Sequence, residues 1–161
     1  MSARAASRLA GLGFMNVYRY QAGKADWFAA GLPREGKEAH IPRLADVALR
    51  DVATCRLDER VGDVQDRMRA DQWELAVVLD TERVVLGVVN AEAPSVGPAT
   101  LIEQVMQPGP VTFRPHLQMG AMPEYFKKQG SRHALVTTSD GVLIGLLRIE
   151  NVEGDRGHAR S

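Results

Sequence analysis

The sequence predicts an α+β fold built from two copies of one β-α-β-β unit. First, residues 47–94 align without a gap with residues 105–152, with nine identical positions that include Gly87 with Gly145. Second, apolar residues in both copies pass from helical spacing to continuous strand-like runs in the same order. Third, a turn-forming segment divides each pair of runs. Two copies of one supersecondary unit explain all three observations, and neither copy need be stable alone.

Copy one has a short strand, an amphipathic helix and a β-hairpin. The spacing of Val61, Val64 and Met68 predicts the helix, and Asp58 is its expected N-cap. Asp80, Thr81 and Glu82 form the turn of the hairpin. The strands are expected at residues 54–57, 75–79 and 84–89.

Copy two repeats this order. Met119, Met122 and Phe126 line its helix, which is expected to start late or to be kinked, because Pro123 would fall inside it. Gly130 is the expected cap at the helix C-terminus. The strands are expected at 112–113, 134–138 and 142–147.

Charge and composition narrow the function classes. Lys plus Arg and Asp plus Glu each number 20, so the zero net charge predicts no long-range attraction to nucleic acid or anionic membrane. Apolar runs are too short for a transmembrane helix, and no secretory signal is visible at the N-terminus, so a cytoplasmic location is expected. One cysteine permits no internal disulfide, and the four histidines lack metal-ligand spacing.

Two segments of copy two carry a resemblance to a known family. They are "VMQPGPVTFRP" at 105–115 and "GSRHALVTTSDGVLIGLLRIENV" at 130–152, and copy one has "ELAVVLDTERVVLGVVN" at 74–90. Residues 44–153 thereby resemble the CBS domain pair, or Bateman module. The resemblance implies tandem β-α-β-β-α repeats about a pseudo-twofold axis, no catalysis, and an adenosine-containing ligand in the cleft between repeats. AMP, ADP, ATP and S-adenosylmethionine are the candidate ligands.

The N-terminal segment is similar to a different family. Residues 2–36 resemble the C-terminal end of a rhodanese domain at Gly13, Phe14, Trp27 and the Ala-Gly-Leu-Pro of residues 30–33. The resemblance implies a short α/β arm, with the catalytic loop expected upstream of Ser2. The expected boundaries are 1–36 for this remnant, 37–43 for a linker, 44–94 for repeat one, 95–100 for a linker, 101–153 for repeat two and 154–161 for a flexible tail.

The family resemblance also implies which residues bind the ligand. Its Thr and Asp contact the ligand, and the Asp carboxylate accepts bonds from both ribose hydroxyls. Copy one has Asn90 and Ala93 at those positions and copy two has Arg148 and Asn151, so both carboxylates are missing. Binding is therefore expected at one site per chain, in copy two. Its expected ligand-binding residues are Val111, Thr112, Arg132, His133, Leu135, Arg148 and Asn151.

Two rival functions remain. A purely structural dimerisation module with a decayed pocket is favoured by the missing carboxylates, and a homodimer is expected in either case. A degenerate sulfurtransferase would need a reactive cysteine. The "CRLDER" segment at Cys55 imitates such a loop, but Asp58 and Glu59 stand where an anion would bind, and Cys55 aligns with Phe113 in a strand. The sequence therefore predicts that Cys55 is a core residue.

Overall fold

The computed structural model describes residues 3–17, 23–92 and 96–154. The helices are α1 (Ala3–Gly11), α2 (Gly23–Ala29), α3 (Leu44–Val47), α4 (Val61–Ala70), α5 (Ile102–Val105), α6 (Met122–Gln129) and α7 (Ile149–Gly154), and a 3-10 turn (Met119–Ala121) precedes α6. The strands are β1 (Thr54–Cys55), β2 (Leu75–Leu79), β3 (Val85–Asn90), β4 (Gln107–Pro108), β5 (Thr112–Phe113), β6 (His133–Thr137) and β7 (Leu143–Arg148).

The strands form two sheets that share a three-stranded arrangement, and the first sheet has one further strand. The first has the order β1-β2-β3-β4 and the second β5-β6-β7. In each, a parallel pair is followed by an antiparallel hairpin, and the hairpins carry bulges at Val78/Leu79 and at Val136/Thr137. Because those bulges lie 58 residues apart, the repeat in the sequence is a repeat in backbone geometry. The predicted α+β architecture with tandem repeats is confirmed.

The two sheets pack on each other through one face. Leu75, Val77 and Leu79 of β2 join Leu135, Leu143 and Leu146 of the second sheet in a central apolar cluster. Ala76 and Val78, which alternate with them, face the helix α4 instead. The continuous apolar run of β2 thus serves two cores at once, as expected for a strand buried on both faces.

The two copies exchange their leading helices. Leu44 and Ala48, at the start of copy one, pack against Met122 and Phe126 of copy two. In the equivalent exchange at the start of copy two, Ile102 packs into the core of copy one beside α4. The backbone follows the same exchange, since Leu49 bridges to Leu146 while β4 pairs with β3. Each core therefore contains a segment from the opposite copy.

Helix boundaries mostly follow the sequence, with one error. The expected late start near Pro123 is confirmed, because α6 begins at Met122, and Gly130 caps it with φ 60°. The expected N-cap at Asp58 is wrong, because α4 begins at Val61 after Arg60. The backbone N–H of Val61 donates instead to the carbonyl of Thr100. A tertiary contact replaces the local cap.

The N-terminal arm contacts copy two through Phe28. Its ring lies 6.5 Å from the ring of His116, and the guanidinium groups of Arg34 and Arg43 lie 5.3 and 5.7 Å from its centroid. Arg34 also forms an ion pair with Asp46 at 2.9 Å. The ring of Phe28 is thus partly covered by His116, Arg34 and Arg43. The segment expected to be a flexible tail lies, beyond Gly154, outside the described residues.

Candidate functional site

A cavity of about 450 Å³ lies between the two copies. We name it the Arg148 cavity. Copy one contributes the segment Leu49–Asp51, which follows α3, and the segment Asp71–Trp73, which follows α4. Copy two contributes Arg148, the last residue of β7. Gln72 has the left-handed value φ 56°, and this turn aims Trp73 toward the cavity. Both copies are needed to build this site.

Trp73 and Arg148 form a cation–π contact across the cavity. The guanidinium carbon of Arg148 lies 4.5 Å from the centroid of the indole ring. Such contacts are worth about 0.5–2 kcal/mol, depending on solvation. The Nε of Arg148 is nevertheless buried without a hydrogen-bond partner. A cavity with an aromatic face and an unsatisfied cationic donor suits a ligand that carries a planar ring and an anionic group.

A second cavity, of about 480 Å³, lies beside the first. We name it the Arg132 cavity, and it is lined by Glu74, Asn90, Ala91, Glu92, Arg132 and His133. Both of its basic side chains face carboxylates. Arg132 Nη2 lies 3.0 Å from Glu150 Oε1, and His133 Nε2 lies 3.5 Å from Glu74 Oε2. The positive charge in this cavity is therefore largely offset.

Burial and nearby charges set the titration of His133. Only 17% of its side chain is exposed, and this burial lowers the pKa of His133 below its ordinary value. Glu74 and Glu150 raise the pKa, whereas Arg148 and Arg132 lower it further. The net effect is a lowered pKa, which favours the neutral imidazole.

The two cavities meet along one pair of strands. Arg148 and His133 are opposite partners in the antiparallel register of β6 and β7. Trp73 and Glu74, which contact them, are neighbours in the chain of copy one. Two adjacent residues of copy one thus contact two opposite residues of copy two, with one contact in each cavity.

The structure divides the seven expected ligand-binding residues. Arg132 and His133 line one cavity and Arg148 lines the other, so the three basic residues expected to bind the ligand do not line a single cavity. The remaining four residues line neither cavity. Val111 is 61% exposed, and Asn151 lies in α7. Leu135 is buried in the central cluster, and Thr112 is the partner of Leu135 in the sheet. Ala93, its counterpart in copy one, lies outside the described residues.

The sequence reasoning missed the contribution of copy one. Arg50, Asp51 and Asp71 line the Arg148 cavity, yet none was expected there. Aligning the two copies pairs equivalent positions, so it does not reveal a contact between non-equivalent ones such as Trp73 and Arg148. Trp73 was the available signal: a tryptophan just before the strand at Leu75 indicates either a cleft-lining or a core residue, and the structure places it at the cavity.

Cys55 is a core residue, as predicted. Its side chain is 3% exposed and packs among Val61, Val78 and Ile102. Burial, reinforced by Glu59, raises the pKa of the Cys55 thiol to about 12. The thiolate needed for nucleophilic attack is therefore disfavoured near neutral pH.

Comparisons with known proteins identify the architecture. A family model described as CBS domain matches residues 44–93. A CBS domain pair/ACT domain protein from Thermotoga maritima superposes with a TM-score of 0.65 at 16% identity, covering 74% of this chain and 99% of that chain. The fold is that of a CBS domain pair.

Two further solved structures share this fold. CBSX2, solved in complex with AMP, matches with a TM-score of 0.67 at 17% identity over 74% of this chain and 99% of that chain. Protein MJ1004 from M. jannaschii matches with a TM-score of 0.66 at 21% identity, over 71% of this chain and 59% of that one. No curated protein matches the chain. At these identities, the likeness establishes the fold alone.

Two features are absent among the residues that the structure describes. Among them, no helix is long and apolar enough to cross a bilayer. Within the same residues, no group of three His, Cys, Asp or Glu side chains is placed to hold a metal ion. No catalytic family is indicated by the comparisons, and CBS domains are generally regulatory modules.

Proposed function

We propose that this chain is a non-catalytic sensor that binds one adenosine-containing ligand in the Arg148 cavity. The observation that carries the proposal is the Trp73–Arg148 contact at 4.5 Å, which joins the two copies inside a cavity large enough for a small ligand. A ligand held there contacts both copies and therefore biases their relative position, which is how a binding module transmits a signal.

Chemistry assigns roles to the two residues. The indole of Trp73 offers a flat apolar surface to an adenine ring. The guanidinium of Arg148, whose Nε has no partner, offers two parallel donors to a phosphate or carboxylate. That one solved relative, CBSX2, was crystallised with AMP supports this class of ligand. AMP, ADP, ATP and S-adenosylmethionine remain the candidates.

The other residues expected at the site are proposed to support ligand binding. Asn151 is proposed to bond a ribose hydroxyl through its amide, less strongly than a carboxylate does. Arg132 and His133 are proposed to contribute from the adjacent Arg132 cavity. Val111, Thr112 and Leu135 are proposed to support the ligand through backbone position and apolar packing. The arm of residues 1–36 is proposed to be a rhodanese-like remnant, and the chain to be a cytoplasmic homodimer.

Calorimetric titration with the four candidate ligands tests this function. Arg148→Asn, which installs the residue found at the same position of copy one, is expected to reduce affinity at least tenfold, or about 1.4 kcal/mol. Trp73→Ser, which installs the counterpart Ser131, is expected to weaken binding similarly. Asn90→Ala, in the other cavity, is the matched control and should change affinity little.

A structural dimerisation module is the second candidate. It is favoured by the amide of Asn151 at the position of a ribose carboxylate and by the carboxylate partners of Arg132 and His133, which offset their charge. The absence of both heat and thermal stabilisation with all four ligands would support it, because any ligand that binds only the native state raises apparent stability. A degenerate sulfurtransferase is disfavoured by the buried thiol of Cys55.

A further inference from the structure

The Arg148 cavity adjoins a titratable pair that does not line it, His133 and Glu74. His133 and Arg148 are opposite partners across β6 and β7. The imidazole of His133 also approaches Glu74, 3.5 Å away in the opposite copy. The charge state of His133 therefore affects two groups, the guanidinium of Arg148 and the carboxylate of Glu74 in the other copy.

We propose that anion binding in the Arg148 cavity is coupled to proton uptake by His133. The coupling rests on the proposed function, of which it is the regulation. His133 acts through Arg148 and Glu74 as a positioning residue. Its imidazole does not line the cavity that holds the ligand.

The direction of the coupling follows from the charges that face His133. Arg148 and Arg132 oppose protonation, whereas Glu74 and Glu150 favour it, and Glu92 lines the same cavity. An anion bound at Arg148 offsets one of the two opposing cations, so protonation becomes easier in the complex. By linkage, lowering the pH through the titration of His133 must then strengthen anion binding. Protonation also strengthens the His133–Glu74 contact, which fixes Trp73 beside the cavity.

Copy one provides the matched control for this coupling. Leu75 occupies the position of His133 in the repeat, and its side chain is buried there without a charged partner. His133→Leu is thus compatible with the local backbone and removes the titratable group. Glu74→Gln keeps the shape of the second partner and removes its charge.

Calorimetry with AMP from pH 8 to pH 5.5, in buffers of different ionisation enthalpy, measures affinity and proton uptake together. We expect wild-type affinity to rise about fivefold more over this range than that of His133→Leu, and the variant should lack the part of the proton uptake that His133 contributes. The comparison cancels the titration of the AMP phosphate itself, which is common to both. Glu74→Gln should shift the rise to lower pH, because His133 loses a group that favours its charged form.

Titration of His133 by nuclear magnetic resonance tests the same coupling without a ligand. Arg148→Asn is expected to raise the pKa of His133, because it removes one of the two cations that oppose protonation of the imidazole. Equal pH dependence of AMP affinity in wild type and His133→Leu, or an unmoved His133 titration in Arg148→Asn, would overturn the coupling while the proposed function stands. No AMP binding at any pH would overturn both.

Discussion

The carbonyl oxygen of Leu49 lies 2.5 Å from the point where a β-carbon at Gly145 would stand. Leu49 and Leu146 exchange backbone hydrogen bonds of 2.8 and 2.9 Å, and this bridge fixes the leading segment of copy one on the sheet of copy two. Gly87 has the same role at the equivalent position of copy one, where the carbonyl oxygen of Gln107 lies 2.8 Å from the point at which a β-carbon would stand. Gly87 and Gly145, which occupy the same position of the repeat, are thus required by close backbone approach.

Gly145→Ala should destabilise the protein by about 3 kcal/mol, because the new methyl group overlaps backbone that cannot move without breaking the bridge. Gly120→Ala is the control, since no atom lies within 4 Å of its virtual β-carbon. It should change the free energy of unfolding by less than about 0.5 kcal/mol. Urea unfolding of both variants measures the difference, and equal stabilities would contradict the close approach.

Arg83→Gly should stabilise the protein by about 0.5–1 kcal/mol. Arg83 has φ 66° in the hairpin turn of copy one, where copy two has Gly141 with φ 87°. A residue with a β-carbon is strained in this region, and glycine is not. Glu82→Gly, one residue earlier and outside the left-handed region, should instead destabilise. If both variants lose stability in urea, strain at Arg83 is excluded.

Stability should depend on Cys55 at alkaline pH. The thiol has a pKa of about 12 in the folded state and 9.0 as its ordinary value, so the unfolded chain loses the proton first. The stabilisation is fully present below pH 9 and is lost between about pH 9 and 12, by about 1.4 kcal/mol per pH unit. The difference in unfolding free energy between wild type and Cys55→Ala isolates this effect from other titrating groups. A difference that stays constant above pH 9 would refute it.

Because the leading helices are exchanged, a cavity made in the leading helix of one copy should destabilise the sheet of the other copy. Leu44→Ala should cost about 3 kcal/mol and should reduce amide protection in β7, although Leu44 begins copy one. Ile102→Ala should reduce protection in β3 instead, although it begins copy two. Hydrogen exchange read by strand distinguishes this pattern from effects confined to the copy that carries the substitution.

The protein should be a homodimer. Leu12, Phe14 and Met15 are 67%, 60% and 96% exposed, and apolar surface of this kind is commonly buried by isologous pairing. Light scattering at micromolar concentration should give twice the chain mass of 17.6 kDa. Phe14→Asp is expected to weaken association, and a wild-type mass of one chain would contradict the prediction.

The repeat in the sequence predicted most of the local structure. Strand positions, the late start of α6 at Met122 and the left-handed cap at Gly130 all follow from residue type and spacing. The pairing between copies did not follow, because the repeat assigns each segment to its own copy while Leu44 packs in the other. For the same reason, Arg148 was expected to bind the ligand together with Arg132 and His133, but it lies against Trp73 in the other cavity. Contacts across a pseudo-twofold axis leave no periodic signal.

The backbone bridge between Leu49 and Leu146 has a consequence for synthesis of the chain. The ribosome synthesises residue 49 long before residue 146. The apolar face of α3 therefore stays exposed until the sheet of copy two has been made. Copy one cannot finish folding either until Ile102 emerges. The two copies are therefore expected to fold only after residue 146 has left the ribosome, and the slow step should be closure of this long loop. A nascent chain arrested before residue 140 should remain sensitive to protease throughout both copies.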